Sequence, residues 1–125
     1  MLIPVMGLAQ QKNDNTIIVK GVSFSQVCNS LLDSGYVIES KDNDMQTVKT
    51  KERIYPKYWN ATYSIYVRVK DSAAIMSVTF SAPGLLFHDD PARFSPHDKA
   101  IFCYPLLVAN ELAKSFNGQI SYAKR

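Results

Sequence analysis

With 125 residues, the chain fits one domain and is long enough to bury roughly two thirds of its unfolded surface in a single core. Its 46% hydrophobic and 20% charged composition is that of an ordinary globular protein, and no apolar run approaches the roughly 18 residues a membrane-spanning helix needs, so no membrane span is expected. Fourteen basic against eleven acidic side chains leave +3, short of the clustered excess typical of nucleic-acid domains, so no nucleic-acid partner is expected.

Residues 1–9 are apolar and end in Gly7, Leu8 and Ala9, followed by the polar stretch 10–15. Small residues three and one positions before a polar junction match the second half of a secretory signal, although the positively charged start is missing. The alternative is a short apolar arm that docks on the domain. On the first reading, residues 1–15 are a signal remnant and the mature chain starts near Gln10. The protein is then periplasmic or secreted, with 16–125 as its single domain. No cysteine directly follows the apolar run, so no lipid-anchor site is expected there.

Residues 16–20 have strand character. Ser23 with Gln26 three positions later forms a capping box, and Phe24, Val27, Cys28, Leu31 and Leu32 make one apolar stripe. Gly35 is placed to end that helix, predicted over 23–34. Strands over 36–40 and 45–54 follow, joined by the polar turn Lys41, Asp42, Asn43, Asp44. Residues 61–70 alternate, with Ala61, Tyr63, Ile65, Val67 and Val69 on one face and Thr62, Ser64, Tyr66, Arg68 and Lys70 on the other. Asp71 and Ser72 reverse the chain into 73–82, where Ala74, Met76, Val78 and Phe80 continue the buried face. Pro83 and Gly84 end the meander, and 85–93 reads as a loop. A second helix is predicted over 95–117, capped by Ser95 with Pro96 at its first position and Asp98 as box partner. Pro105 in its interior predicts a kink near Ile101. Asn117 and Gly118 stop the helix, leaving 119–124 as a short edge strand or a tail. These elements specify an α+β domain: an antiparallel meander sheet with two helices packed on one face, in β-α-β-β-β-β-α order.

That order resembles the TBP-like fold, and more narrowly an uncharacterised family of secreted bacterial domains described as TBP-like. The residues carrying the resemblance are Leu31, Leu32, Asp33, Ser34, Gly35, Tyr36, Val37 and Ile38, the turn at 41–44, and the returning strand Met45, Gln46, Thr47, Val48, Lys49 and Thr50. A helix closing in Gly-Tyr before a strand, an acidic turn and a second strand is also similar to periplasmic lipoproteins of outer-membrane assembly, from which this chain departs in lacking a lipidation cysteine. The resemblance implies a domain over roughly 16–118 and brings no catalytic residues.

Lys49, Lys51 and Arg53 alternate along one predicted strand, and Arg68 and Lys70 along the next. All five would project from the open sheet face beside Tyr66, as a basic surface for an acidic peptide, glycan or headgroup. The bland alternative is a solvated face that deters aggregation. Tyr55, Tyr58, Trp59, Tyr63 and Tyr66 crowd the same region, where Tyr58 and Trp59 either stack on a ligand or cover the sheet edge. His88, Asp89, Asp90, His97 and Asp98 are the one metal-like or acid-base grouping, but their spacing matches no zinc motif. Cys28 and Cys103 fall on the two helices, as a disulfide or as buried thiols. The pattern therefore points to a non-enzymatic module, without a cofactor, that recognises a protein or envelope polymer through its sheet face or the aromatic connection. The alternative is a small-ligand or lipid carrier with a pocket lined by Phe80, Phe87, Phe102 and Leu106. An enzyme centred on His88 and His97 is the third reading.

Overall fold

The computed structural model describes residues 14–54, 61–82, 87–93 and 103–124. In chain order the elements are β1 (Thr16–Lys20), α1 (Phe24–Asp33), β2 (Ile38–Asp42), β3 (Thr47–Thr50), β4 (Arg53–Ile54), β5 (Thr62–Lys70), β6 (Ala73–Ala82), β7 (Phe87–Pro91), α2 (Tyr104–Lys114) and β8 (Gln119–Ala123). The strands form one open antiparallel sheet in the order β2-β3-β5-β6-β1-β8, with β4 also paired to β5 and β7 to β6. The chain is thus an α+β protein.

Alternation along β5 and β6 builds the centre of the sheet. Ile65, Val67, Met76, Val78 and Phe80 all face inward and are at most 1% exposed. The turn between the two strands holds Asp71 and Ser72 at φ +53° and +60°. Two consecutive left-handed residues make the two-residue hairpin turn whose twist matches that of the strands. Val27 and Leu31 from α1, with Leu106, Ala109 and Ala113 from α2 and Phe116 just past its end, join the same buried cluster. Both helices therefore lie on one face of the sheet, and each large side chain sealed there stabilises the fold by about 1.5–3 kcal/mol.

Local chemistry sets the ends of α1. The Ser23 hydroxyl accepts from the Gln26 N–H, and the Gln26 side chain accepts from the Ser23 N–H. At the other end Gly35, at φ +86°, lets its own N–H reach the Leu32 carbonyl and the Tyr36 N–H reach that of Leu31, the paired bonds of a Schellman stop.

Three elements differ from the sequence expectation, the first being the strand predicted over 45–54, which is divided into β3 and β4. Pro105 lies in the first turn of α2 and not in a kinked interior; a missing N–H goes unused there, so proline starts this helix without bending it. The earlier part of the predicted helix, with Ser95, Pro96, Asp98 and Ile101, lies outside the described residues. The stretch taken for a loop contains β7, which pairs Thr79 with Pro91 and Phe80 with Asp90. Its polar residues carry no alternation to announce a strand. Pairing arises because β1 covers β6 only at Ala73, Ala74, Ile75 and Met76, leaving the remaining backbone of that edge to find another partner.

Past α2, Asn117 adopts φ +61° and the chain returns as β8 along β1. A Cβ on Gly118 would lie 2.2 Å from the Lys20 carbonyl oxygen and 2.7 Å from Val19 Cγ1, so only glycine lets β8 begin there. Gly118→Ala is expected to destabilise the domain by about 3 kcal/mol, the upper end of overpacking costs, in urea unfolding. An unchanged midpoint would contradict this approach of β8 to β1.

Candidate binding face

Directly paired residues on neighbouring strands share a face, so the register defines what stands together on the side away from the helices. Lys49 pairs with Tyr66, and Tyr66 with Ser77. Thr47 pairs with Arg68, Arg68 with Ile75 and Ile75 with Ile18. At the hairpin end Lys70 pairs with Ala73 and Ala73 with Lys20. Tyr66, Arg68 and Lys70 are thus on one face with Lys49, and Tyr66 is 42% exposed. A groove of about 360 Å³ runs past Tyr66, Arg68, Ile75, Ser77 and Thr79. A second hollow, of about 450 Å³, lies at the hairpin end between Lys20 and Lys70 over Ile18, Ala73 and Ile75.

Arg53 does not belong to this face. Between β3 and β4 the pairing with β5 slips by one residue: Lys49 opposes Tyr66, but Arg53 opposes Tyr63. Such an extra residue turns every later side chain to the other face. The Arg53 guanidinium stacks 4.4 Å above the Tyr36 ring and donates to the Ser34 carbonyl at 3.1 Å. Lys51 sits exposed within the slip, its N–H bonded to the Val37 carbonyl at 2.7 Å. Thr50 makes the slip tolerable: its buried Oγ1 accepts from the Ile65 N–H at 2.9 Å, in place of a ladder carbonyl.

The cations on the outer face are not equivalent. Lys49 is bound to Glu39 at 3.5 Å, and elsewhere Lys114 is bound to Glu111 at 2.9 Å and Lys41 lies over the Phe24 ring. Among the described residues, Lys20, Arg68 and Lys70 have no acidic or aromatic partner, and all three gather at one end of the outer face. Lys20 was not among the candidates the sequence suggested. Its position on the first strand carries no signal of proximity to Lys70, because only the β1–β6 pairing brings the two together.

The remaining candidates are less informative. Tyr55, Tyr58 and Trp59 lie outside the described residues, as do His97, Asp98 and Phe102; the side chains of Phe87 and His88 are likewise undescribed. Phe80 and Leu106, expected to line a ligand pocket, are 1% and 0% exposed in the core. Tyr63 faces inward, where its hydroxyl meets that of Tyr36 at 3.0 Å with the rings edge to face. Beside this pair a cleft of about 320 Å³ opens between Ser34, Arg53, Glu111 and Ser115. Cys28 and Cys103 are both buried and not disulfide-bonded. Burial pushes the Cys28 thiol up, against a smaller opposing pull from Lys41, so it stays protonated at neutral pH.

No protein-family model matches the chain and no curated protein matches it significantly.

The slip generates two expected outcomes. Thr50→Val keeps the shape but strands the buried Ile65 N–H, and should cost about 1–3 kcal/mol in denaturant unfolding; no loss would remove Thr50 from its bridging role. Arg53→Ala should cost about 1 kcal/mol through the lost Tyr36 stack and Ser34 bond. Lys49→Ala, which removes one exposed ion pair, should stay within about 0.5 kcal/mol of the parent. Equal effects of the two would mean that both arginine and lysine lie on the solvent face.

Proposed function

We propose that this chain is a non-enzymatic binding module, periplasmic or secreted, that recognises a protein or envelope polymer through its outer sheet face. The carrying observation is the gathering of Lys20, Arg68 and Lys70, without partners among the described residues, next to exposed Tyr66 on the face opposite both helices. Unpaired cations that share a face with an exposed aromatic ring and a shallow groove offer electrostatic complementarity to an acidic counterpart. Export is supported by the signal-like pattern of residues 1–9. The TBP-like relationship belongs to the same proposal, supported by the order of strand, helix, meander and helix.

The test uses the whole chain with a photo-reactive side chain introduced at Ser77 on the outer face or, in a second protein, at Glu111 on α2, exposed to envelope extract. A discrete adduct is expected from position 77 and not from 111. Tyr66→Ala and Arg68→Ala should each weaken capture by about thirtyfold, the loss that marks an interface hot spot, with thermal unfolding nearly unchanged. Adducts from position 111 alone, or yields indifferent to Tyr66 and Arg68, would place the contact surface elsewhere.

A further inference from the structure

The hollow at the hairpin end has a construction that specifies its ligand more narrowly. Lys70 and Lys20 flank Ala73 in a single row of the outer face, two strand spacings apart, or about 10 Å between Cα atoms. Ile75 and Ile18 form the next row and, with Ala73, give the hollow an apolar floor of half-buried side chains. Arg68 extends the basic wall on the Lys70 side, since it pairs with Ile75. Asp71 stands on the rim, exposed, and forms no ion pair with either lysine. The site is therefore an apolar strip between two cationic walls.

We propose that this hollow is the subsite for an acidic peptide segment in which one apolar side chain is flanked by carboxylates. The proposal rests on the sheet-face reading and names its ligand class. An apolar side chain seated on Ile18, Ala73 and Ile75 removes that floor from water. Carboxylates on either side meet Lys20 on one wall and Lys70 with Arg68 on the other. In an extended peptide the side chains that share a face are two positions apart, so carboxylates two positions before and after the apolar residue are about 13 Å from each other, a span that the lysine stems reach from Cα atoms about 10 Å apart. Concavity separates this ligand from an anionic bilayer, because a planar headgroup surface resting on the lysines leaves the isoleucine floor uncovered.

The experiment is fluorescence anisotropy of the whole chain with a labelled nonapeptide carrying glutamate, serine, leucine, serine and glutamate at its centre between neutral flanks, so that leucine and both glutamates share one face of the extended peptide. The same peptide with glutamines, and vesicles of phosphatidylglycerol with phosphatidylcholine, serve as competing probes. Wild-type protein is expected to bind the glutamate peptide in preference to both. Combined Lys20→Ala and Lys70→Ala should weaken binding by about tenfold or more, whereas Lys51→Ala with Lys124→Ala, which removes the same charge from exposed positions elsewhere, should change it by less than about twofold. No binding to the glutamate peptide, equal weakening by the two double variants, or vesicle binding that depends on Lys20 and Lys70 without peptide binding would each overturn the subsite. If the peptide fails while Tyr66→Ala and Arg68→Ala still abolish the adduct from position 77, only the subsite falls; if those variants are also silent, the sheet-face reading falls with it.

Discussion

The antiparallel pairing of β1 between β6 and β8 is the constraint on which the rest of the molecule depends. It joins the first described strand to the last across the edge of the meander. Ile17 and Val19 are wholly buried and give α2 a continuous apolar floor. The exit of β1 is tied to the hairpin turn, since the Ser72 carbonyl accepts from both Gly21 and Val22 N–H at 2.8 and 3.1 Å. The entry of β8 is admitted only by the missing side chain of Gly118. These contacts span nearly the whole chain, so their closure entropy is large and sheet completion is expected late in folding.

The same pairing creates the electrostatics of the outer face. Lys70 arrives from the hairpin and Lys20 from the opposite end of the sequence, and the sheet sets them on either side of one alanine. Elsewhere among the described residues, Lys49, Lys114, Lys41 and Arg53 sit beside a carboxylate or a ring, while Lys51 and Lys124 stand exposed and apart from one another. A surface selected only to stay soluble would gain by interspersing its charges. Lys20, Arg68 and Lys70 instead stand together around one apolar strip.

The slip at Thr50 does complementary work on the other face. By moving Arg53 to the helix side it supplies a lid for the Tyr36 ring, whose hydroxyl is engaged with Tyr63. Tyr122 similarly reaches Asn110 at 2.8 Å from β8 to α2. Hydrogen bonds of this kind allow polar groups under the helices, and no buried side-chain polar atom among the described residues lacks a partner. The inner face is thereby sealed by satisfied polar contacts at its margins and by apolar packing at its centre.

By itself the sequence determined the features that depend on near neighbours: the capping box and glycine stop of α1, the alternation of β5 and β6, the reversal at Asp71 and Ser72, and the α+β class. Each is set by interactions within a few residues, and so leaves a local pattern. Tyr66, Arg68 and Lys70 were legible as one face for the same reason, since alternation within a single strand needs no partner. Tertiary structure alone decided the features that depend on which backbones meet. It placed β1 inside the sheet, gave β7 an open stretch of β6 to pair with, started α2 at Tyr104 with Pro105 in its first turn, turned Arg53 to the helix side through a one-residue slip, and set Lys20 across one alanine from Lys70. Strand neighbours and register are selected by hydrogen bonds and packing between distant segments, and periodicity along one chain holds no record of them.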